Sequence, residues 1–507
     1  MIDVAIVVAL IVITIIIGVK GYGVSKSMVG YFLAARGLGA WVLSFSFMAT
    51  YFSAASFIGG GGATYLYNLG FGAWLTAWHV IGVVLAWVLI AERLYKYASK
   101  TGIISIPDFI EHRYQSKAAK AIAAVVILFL FVLYAISVFM AGAKVLAALL
   151  GTTYEVGLVL LLVPVAIYVG LGGLKAAALN NLILGILMLV SAILTFGYVM
   201  SAVGGWDAGL AAIEKMKIAD RFDGALWLNF SGFGPPPAMT AGMVPALIMG
   251  VTFSISIAQV ALPQLLMQFY AARDVKVINY GRIIGPIAVG VYAILMFSLG
   301  LFCHLILDPG LPAATVMDLL KDPDKVIPMV VMKLMPTGVS GLVAASVLAA
   351  TLSTLAVVLI VLSASLVRDI IQAAKPGIPE PKLVMAARVM PVVFAIIAMT
   401  LAISPPGIIV EVVGAAFGTI FACFVGPVTI GLYWKGATKA GSIASMIAGL
   451  VTGLAWFLFI YKKFPTPTDP LAWVYPVVPA LAISLVLFFL VSLFTKKPPK
   501  EVLDLLG

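Results

Sequence analysis

Apolar residues in this chain come in long blocks, separated by short charged or Gly/Pro-rich stretches, rather than at a strand or surface-helix period. A helix needs about 20 apolar residues to cross the hydrocarbon core of a bilayer. About thirteen such blocks are present, over 4–20, 40–65, 71–92, 119–149, 155–174, 179–203, 240–268, 283–306, 338–366, 384–403, 408–434, 440–461 and 471–494. Open sheets cannot span lipid because their edges would stay unsatisfied, and no stretch alternates like a barrel strand. The pattern predicts an all-α polytopic membrane protein, with 1–507 as a single membrane domain. The first block begins Met1-Ile2-Asp3 without a basic leader and ends at Gly18-Val19-Lys20 without a small-residue cleavage site. It reads as a retained span.

Composition strengthens this picture. Hydrophobic residues make up 63% of the chain and charged residues 10%, with a mean hydropathy of +1.17. A soluble chain carries about 25% charged residues. A soluble enzyme, a disordered protein and a nucleic-acid binder are therefore excluded as first readings. The net charge of +11 matters through its distribution. With the N-terminus outside and the C-terminus inside, 22 of the 31 Lys and Arg fall on cytoplasmic segments. That is the asymmetry expected of a cell-membrane protein in this orientation. The 204–239 and 307–337 connections then lie outside, and the amphipathic stretch Ile104 to Gln115 is expected along the inner membrane surface. Cys303 and Cys423 sit in separate apolar runs, so neither a disulfide framework nor a cysteine zinc site is expected.

Polar residues are costly inside lipid, and three stretches carry them. The first runs from Ser44 to Gly62 and ends in four consecutive glycines, which weaken a helix through backbone entropy. A helix interrupted there offers free carbonyls and amides to an ion or a carboxylate, whereas the plainer reading is close packing through small residues. The second runs from Gly250 to Gln264, where Pro263 removes a backbone donor and is expected to break the helix, with Ser254, Ser256 and Gln259 beside the gap. The third runs from Ala345 to Leu355. Ala350, Ser353 and Thr354 are spaced i, i+3, i+4 and share one helix face, bringing a carbonyl and two hydroxyls to one place. Hard cations take oxygen ligands of this kind. The first two stretches open two five-span blocks, 40–203 and 240–434. An odd number of spans inverts the second block relative to the first, and paired broken helices in inverted halves point to a transporter's binding site.

On these residues the chain resembles the sodium:solute symporter family from about Tyr31 to Gly449. The resemblance rests on Tyr31 to Arg36, Ala49-Thr50-Tyr51 through Gly60, Tyr154-Glu155, Gly172 to Lys175, Ser353-Thr354-Leu355, Arg368-Asp369-Ile370 and Tyr433-Trp434-Lys435. Within the family it most resembles the sodium/pantothenate branch, through Arg113 to Ser116, Tyr154 to Gly157, Ile327-Pro328 and Lys333 to Pro336, with proline and monocarboxylate carriers as near relatives. The resemblance implies a LeuT-type fold of five plus five inverted spans, with an extra N-terminal span (4–20) and two C-terminal spans (440–494). It also implies a Na⁺ site made by the carbonyls of Ala49, Phe52 and Ala350 with the hydroxyls of Ser353 and Thr354. Matching positions for the solute are Tyr51, Ser53 and Ser56, with Ser256 and Gln259 from the sixth core helix. Two departures stand out. Asn181 replaces a carboxylate that holds a second sodium in some members, and Ala261 to Gln264 replaces a Gly-x-Pro-His pattern.

The function expected is Na⁺-coupled symport of a small organic solute, a carboxylate such as pantothenate, by alternating access, without enzymatic activity. Rivals are proton coupling, which wants a titratable group at the midplane, proline or monocarboxylate as the solute, and a channel or substrate sensor on the same scaffold. His79 and His304 have no acidic partner visible in the sequence. Lys144 and Glu411 read as structural or interface-reaching groups, and Asp369 as a cap or ion-pair partner where its helix closes.

Overall fold

The computed structural model describes residues 2–21, 27–33, 36–228, 244–463 and 469–506. Its main helices are α1 (Ile2–Gly21), α2 (Ala40–Tyr51), α3 (Gly61–Leu66), α4 (Leu69–Leu85), α5 (Ile106–Tyr114), α6 (Lys117–Leu150), α7 (Tyr154–Val203) and α8 (Val244–Ile257). There follow α9 (Pro263–Tyr270), α10 (Val275–Phe297), α11 (Leu299–Leu307), α12 (Val339–Ser363), α13 (Glu380–Ala402), α14 (Ile409–Phe424), α15 (Lys439–Ala455) and α16 (Val477–Leu493). Among the described residues the strands are a two-residue antiparallel pair in the 204–239 connection, Lys217 opposite Asp223 and Ile218 opposite Phe222. The triple proline at 235–237 and the start of the 240–268 block lie outside the described residues.

Local sequence sets many of the boundaries. The first free amides of α4, α5, α6, α7 and α10 are met by the side chains of Asn68, Ser105, Ser116, Thr153 and Asp274. Gly151 and Gly204 end α6 and α7 in the left-handed conformation, at φ 61° and 80°.

Nine described helices are long and apolar enough to cross a membrane, and a bent pair, Ala40–Tyr51 with Ser56–Leu66, raises this to ten. Three shorter apolar helices lie at Ile2–Ile17, Tyr154–Ile167 and Val477–Leu493. The sequence places a break between 155–174 and 179–203, but helical hydrogen bonding runs unbroken through α7. The glycines and lysine there tolerate helical backbone, and the one proline of α7, Pro164, lies in its first part.

The α12 helix is the axis of the molecule. Its membrane-crossing window is wholly buried, and it packs against α6, α7, α13 and α2. The N-terminal helix α1 is tied to its start, because Asp3 accepts from the Gly338 amide at 2.6 Å and the Ser340 hydroxyl at 2.9 Å.

Candidate functional site

The α2 helix stops at Tyr51. Phe52 is extended (φ −81°, ψ 105°), the Ser53 hydroxyl accepts from the Ala55 amide at 3.1 Å, and the chain resumes at Ser56 in a π-turn bent by 59° from α2. The break therefore falls before the four glycines, not in them. The glycines remain helical and serve close packing: a Cβ on Gly60 would lie 2.4 Å from the Phe297 ring, and one on Gly62 would lie 2.4 Å from the Pro323 carbonyl.

Helix termination leaves the last carbonyls of α2 without amide partners. The hydroxyls of α12 meet them. Ser353 Oγ lies 2.9 Å from the Ala49 carbonyl and 3.0 Å from that of Ala350. Thr354 Oγ1 lies 3.3 Å from the carbonyls of both Ala49 and Thr50. Two hydroxyl hydrogens thus face more acceptor oxygens than they can satisfy at once, in a place that is 0–1% exposed. An oxygen-rich, hydrogen-poor cluster of this kind suits a hard monovalent cation. Of the five expected ligands, Ala49, Ala350, Ser353 and Thr354 come together. Phe52 lies in the break itself, and among the described residues its carbonyl makes no hydrogen bond with either α12 hydroxyl. Thr50 joins through its carbonyl, which the sequence reading missed. On the next turns of α2, Asn181 of α7 donates to Thr50 Oγ1 at 3.1 Å and Ser46 Oγ at 3.3 Å.

The residues expected to hold the solute divide. Tyr51 donates its hydroxyl to the Ile255 carbonyl at 3.0 Å. Gln259 donates to the carbonyls of His79 (3.1 Å) and Ser256 (3.0 Å), and Ser256 Oγ lies 2.5 Å from His79 Nδ1. Ser256 lies in the last turn of α8, and Gln259 in the short turn between α8 and α9. Pro263 is the first residue of α9, and Leu262 before it is extended, as expected of a residue preceding proline. Ser56 and His79 line a cavity of about 20 Å³ with Ile255, Phe297, Val410 and Val413. Ser53 Oγ accepts locally from the Ala55 amide. The centre of this group is His79, which no motif or spacing in the chain singles out as a solute contact.

Several sequence expectations need correction. His304 does have an acidic partner: Asp308, one helical turn on, lies 2.7 Å from its Nδ1, while its Nε2 lies 2.8 Å from the Tyr65 carbonyl. Lys144 and Glu411 take the structural one of their two expected roles, each held in an ion pair. Lys144 contacts Asp322 at 2.8 Å and Asp324 at 2.9 Å, and Glu411 contacts Lys462 at 2.6 Å. Asp369 does not close its helix, which continues as a π-turn through Gln372. Its carboxylate accepts from Ser105 at 2.9 Å and lies 3.7 Å from Lys120, while Arg368 pairs with Asp108. The α5 helix packs Ile106, Phe109, Ile110, Arg113 and Tyr114 into the protein, largely against α6.

Lys120 and Lys144 stand at the two ends of α6, about 36 Å apart at 1.5 Å per residue. Lys144 gathers Asp322 and Asp324 from far along the chain, whereas Lys120 holds the nearby Asp108 and Glu111, with Asp369 farther off at 3.7 Å. At the Lys144 end, burial pushes the Asp324 carboxyl above its usual range, and Lys144 only partly opposes this. Burial also acts on Asp322, but bonds to Lys144 and Lys325 outweigh it and hold that carboxyl low.

Comparison with known proteins places this geometry. The model of the sodium:solute symporter family matches residues 31–449. The sodium/pantothenate symporter of Escherichia coli (strain K12) is 28% identical over 493 residues, covering 96% of this chain and 95% of the relative. A sodium/proline symporter of Staphylococcus aureus (strain JH9) is 27% identical over 498 residues, covering 96% and 91%. Among solved structures, the outward-open, substrate-bound state of a Na⁺-coupled sialic acid symporter aligns over 98% of both chains, with a TM-score of 0.76 at 18% identity. A closed nucleobase-cation-symport-1 family transporter aligns over 95% of this chain and 98% of its own, with a TM-score of 0.51 at 14% identity. The fold is the LeuT-type fold of transporters.

Proposed function

The chain belongs to the sodium:solute symporter family, and from that premise we propose that it couples inward sodium flow to uptake of a small organic carboxylate, pantothenate being the first candidate. The observation that carries this reading is the contact between the broken end of α2 and the hydroxyl face of α12, with Ser353 Oγ 2.9 Å from the Ala49 carbonyl. Sodium is the coupling ion. It is held by the carbonyls of Ala49, Phe52 and Ala350 and the hydroxyls of Ser353 and Thr354. The solute lies on the other side of the same break, beside Tyr51, Ser53, Ser56, Ser256 and Gln259. Residues 40–203 and 240–434 act as the two inverted repeats, with the N-terminus outside and the C-terminus in the cytoplasm of a cell-membrane protein.

Coupling follows from the shared break. An ion that bridges α2 and α12 fixes the chain at 52–56, and the solute then meets an ordered site. Because coupling is a shared free energy, sodium tightens solute binding by the same factor as solute tightens sodium binding.

The test is sodium-driven uptake of labelled pantothenate into proteoliposomes. The double variant Ser353→Ala with Thr354→Ala is expected to insert and bind detergent normally. Its half-saturating sodium concentration rises about tenfold to a hundredfold, since each lost oxygen contact is worth about 1 kcal/mol. Unchanged sodium dependence in that variant removes the site assignment, and uptake driven by a proton gradient alone removes sodium coupling.

A further inference from the structure

Resting on this reading, we infer that His79 is a solute-binding residue that offers a hydrogen-bond acceptor, so the part of the solute entering its cavity is a neutral, donor-bearing group such as the hydroxyl of a branched hydroxyalkyl end. The imidazole is buried, stacked on Phe52 (5.4 Å between centroids, 8° between planes) and set edge-on to Phe297 (4.9 Å, 63°). Its Nδ1 lies 2.6 Å from the Leu75 carbonyl. A carbonyl can only accept, so Nδ1 carries the hydrogen. Ser256 Oγ, 2.5 Å away, offers a lone pair to the same N–H and turns its own hydrogen toward Leu75, whose carbonyl lies at 3.5 Å. The tautomer is thereby fixed. No carboxylate among the described residues touches the ring, so nothing there compensates an imidazolium and the ring is neutral. Its Nε2 then carries a lone pair and has no hydrogen-bond partner among the described residues.

His79 and Ser56 are the polar residues that line the cavity, whose other walls include Ile255, Phe297, Val410 and Val413. Three consequences follow from this lining. A solute group seated here must give a hydrogen, or it leaves Nε2 unpaired in an apolar place. It must be uncharged, because no charged side chain lines the cavity. At about 20 Å³ the cavity takes little more than one hydroxyl, so the branched part of the solute rests at its mouth against aliphatic walls. Pantothenate has such an end, with hydroxyls on a dimethyl-branched chain and the carboxylate at the far side. Proline does not: its ammonium would enter an apolar cavity with no counter-charge, at a high desolvation cost.

The experiment uses the full-length protein in proteoliposomes under an inward sodium gradient, with labelled pantothenate and labelled proline as probes and His79→Phe and His79→Gln as variants. Phenylalanine keeps the stacking and removes the acceptor, whereas glutamine keeps an acceptor oxygen. The expected result is sodium-driven uptake of pantothenate over proline. KM for pantothenate rises about tenfold or more in H79F, is partly restored in H79Q, and half-saturating sodium changes less than twofold in both. Sodium-induced thermal stabilisation of each variant confirms that it is folded. An unchanged KM in H79F overturns the assignment while sodium-coupled transport stands. Sodium-driven uptake of proline in preference to pantothenate does the same, because it contradicts the cavity's chemistry. Uptake of neither probe overturns both this inference and the solute class proposed above.

Discussion

The two broken helices reach the same outcome by different means. Between α2 and α3 the break falls on Phe52 and Ser53, neither of which forbids a helix, and Ala54 and Ala55 are helical again. Between α8 and α9 it falls just before Pro263, which has no amide to donate and whose ring collides with the carbonyl one turn back. The second break is written into covalent structure. The first is imposed from outside, by what packs on the resumed helix. Gly61 and Gly62 allow that packing: a Cβ on Gly300 of α11 would lie 1.8 Å from the Gly61 carbonyl, and Pro323 rests on Gly62. Glycine here marks backbone contact, and the bend follows from what that contact holds in place. The chemistry at the two breaks differs accordingly. The first leaves main-chain carbonyls facing the hydroxyls of α12, and the second leaves the side chains of Ser256 and Gln259 facing α4.

If this contrast is right, the largest effect comes from Gly300→Ala. The added methyl has only backbone to meet, so α11 and α3 must separate, and overpacking of this kind costs about 1–3 kcal/mol or more. Sodium-driven uptake is expected to be lost while the protein still inserts, and sodium-induced thermal stabilisation is expected to shrink, because the first break is no longer held. Uptake at the parental rate in G300A would mean that the first break sustains itself.

The same contrast explains what could be read from the sequence. Signals carried by one segment were legible: the apolar blocks, the break at Pro263, and the shared face of Ala350, Ser353 and Thr354, which depends only on helical spacing. Features made by segments far apart in the chain were not. The exact place of the first break depends on contacts with residues 300 and 323. Lys144 finds its carboxylates 178 and 180 residues away. His79 becomes a candidate only when Ser256, 177 residues on, fixes its tautomer. The glycine run was informative in its composition and ambiguous in its meaning, because the backbone freedom that permits a break also permits close approach.

A smaller effect is expected from Lys144→Met, which weakens the roof over the first break without touching either helix. The Pro323 contact on Gly62 belongs to the segment that Asp324 anchors, through Lys144 at 2.9 Å and the Ile409 amide at 3.3 Å. Removing the cation leaves Asp324, 1% exposed, without its counter-charge. For a fully buried pair that costs about 3–5 kcal/mol, and the exposure of Lys144 lowers the figure to about 2 kcal/mol here. The sign with pH is set by burial, which already holds the Asp324 carboxyl high. Without Lys144 it rises further, so protonation relieves the defect as pH falls. The thermal midpoint of K144M is expected to lie closest to the parental value at pH 5 and furthest below it at pH 8. A deficit that does not change with pH would detach Asp324 from the defect.

The smallest effect, and the sharpest test of the contrast, comes from Pro263→Ala. Proline occupies the first position of α9, where a backbone amide would have no helical partner in any case, so alanine costs little in the broken state. What it changes is the alternative. Alanine permits an unbroken helix through 258–262, which proline forbids by about 3 kcal/mol. Whether the helix closes then depends on what else holds it open. Gln259 is bonded to the His79 carbonyl, and a Cβ on Gly82 would lie 2.3 Å from the Ser256 carbonyl, so α4 grips the second break at two points. These contacts are expected to keep it open in P263A, with KM for the solute raised about two- to fivefold and half-saturating sodium unchanged. If uptake is instead abolished and restored by a proline at 262 or 264, covalent chemistry alone makes the second break. If sodium dependence shifts along with KM, the two breaks are mechanically one.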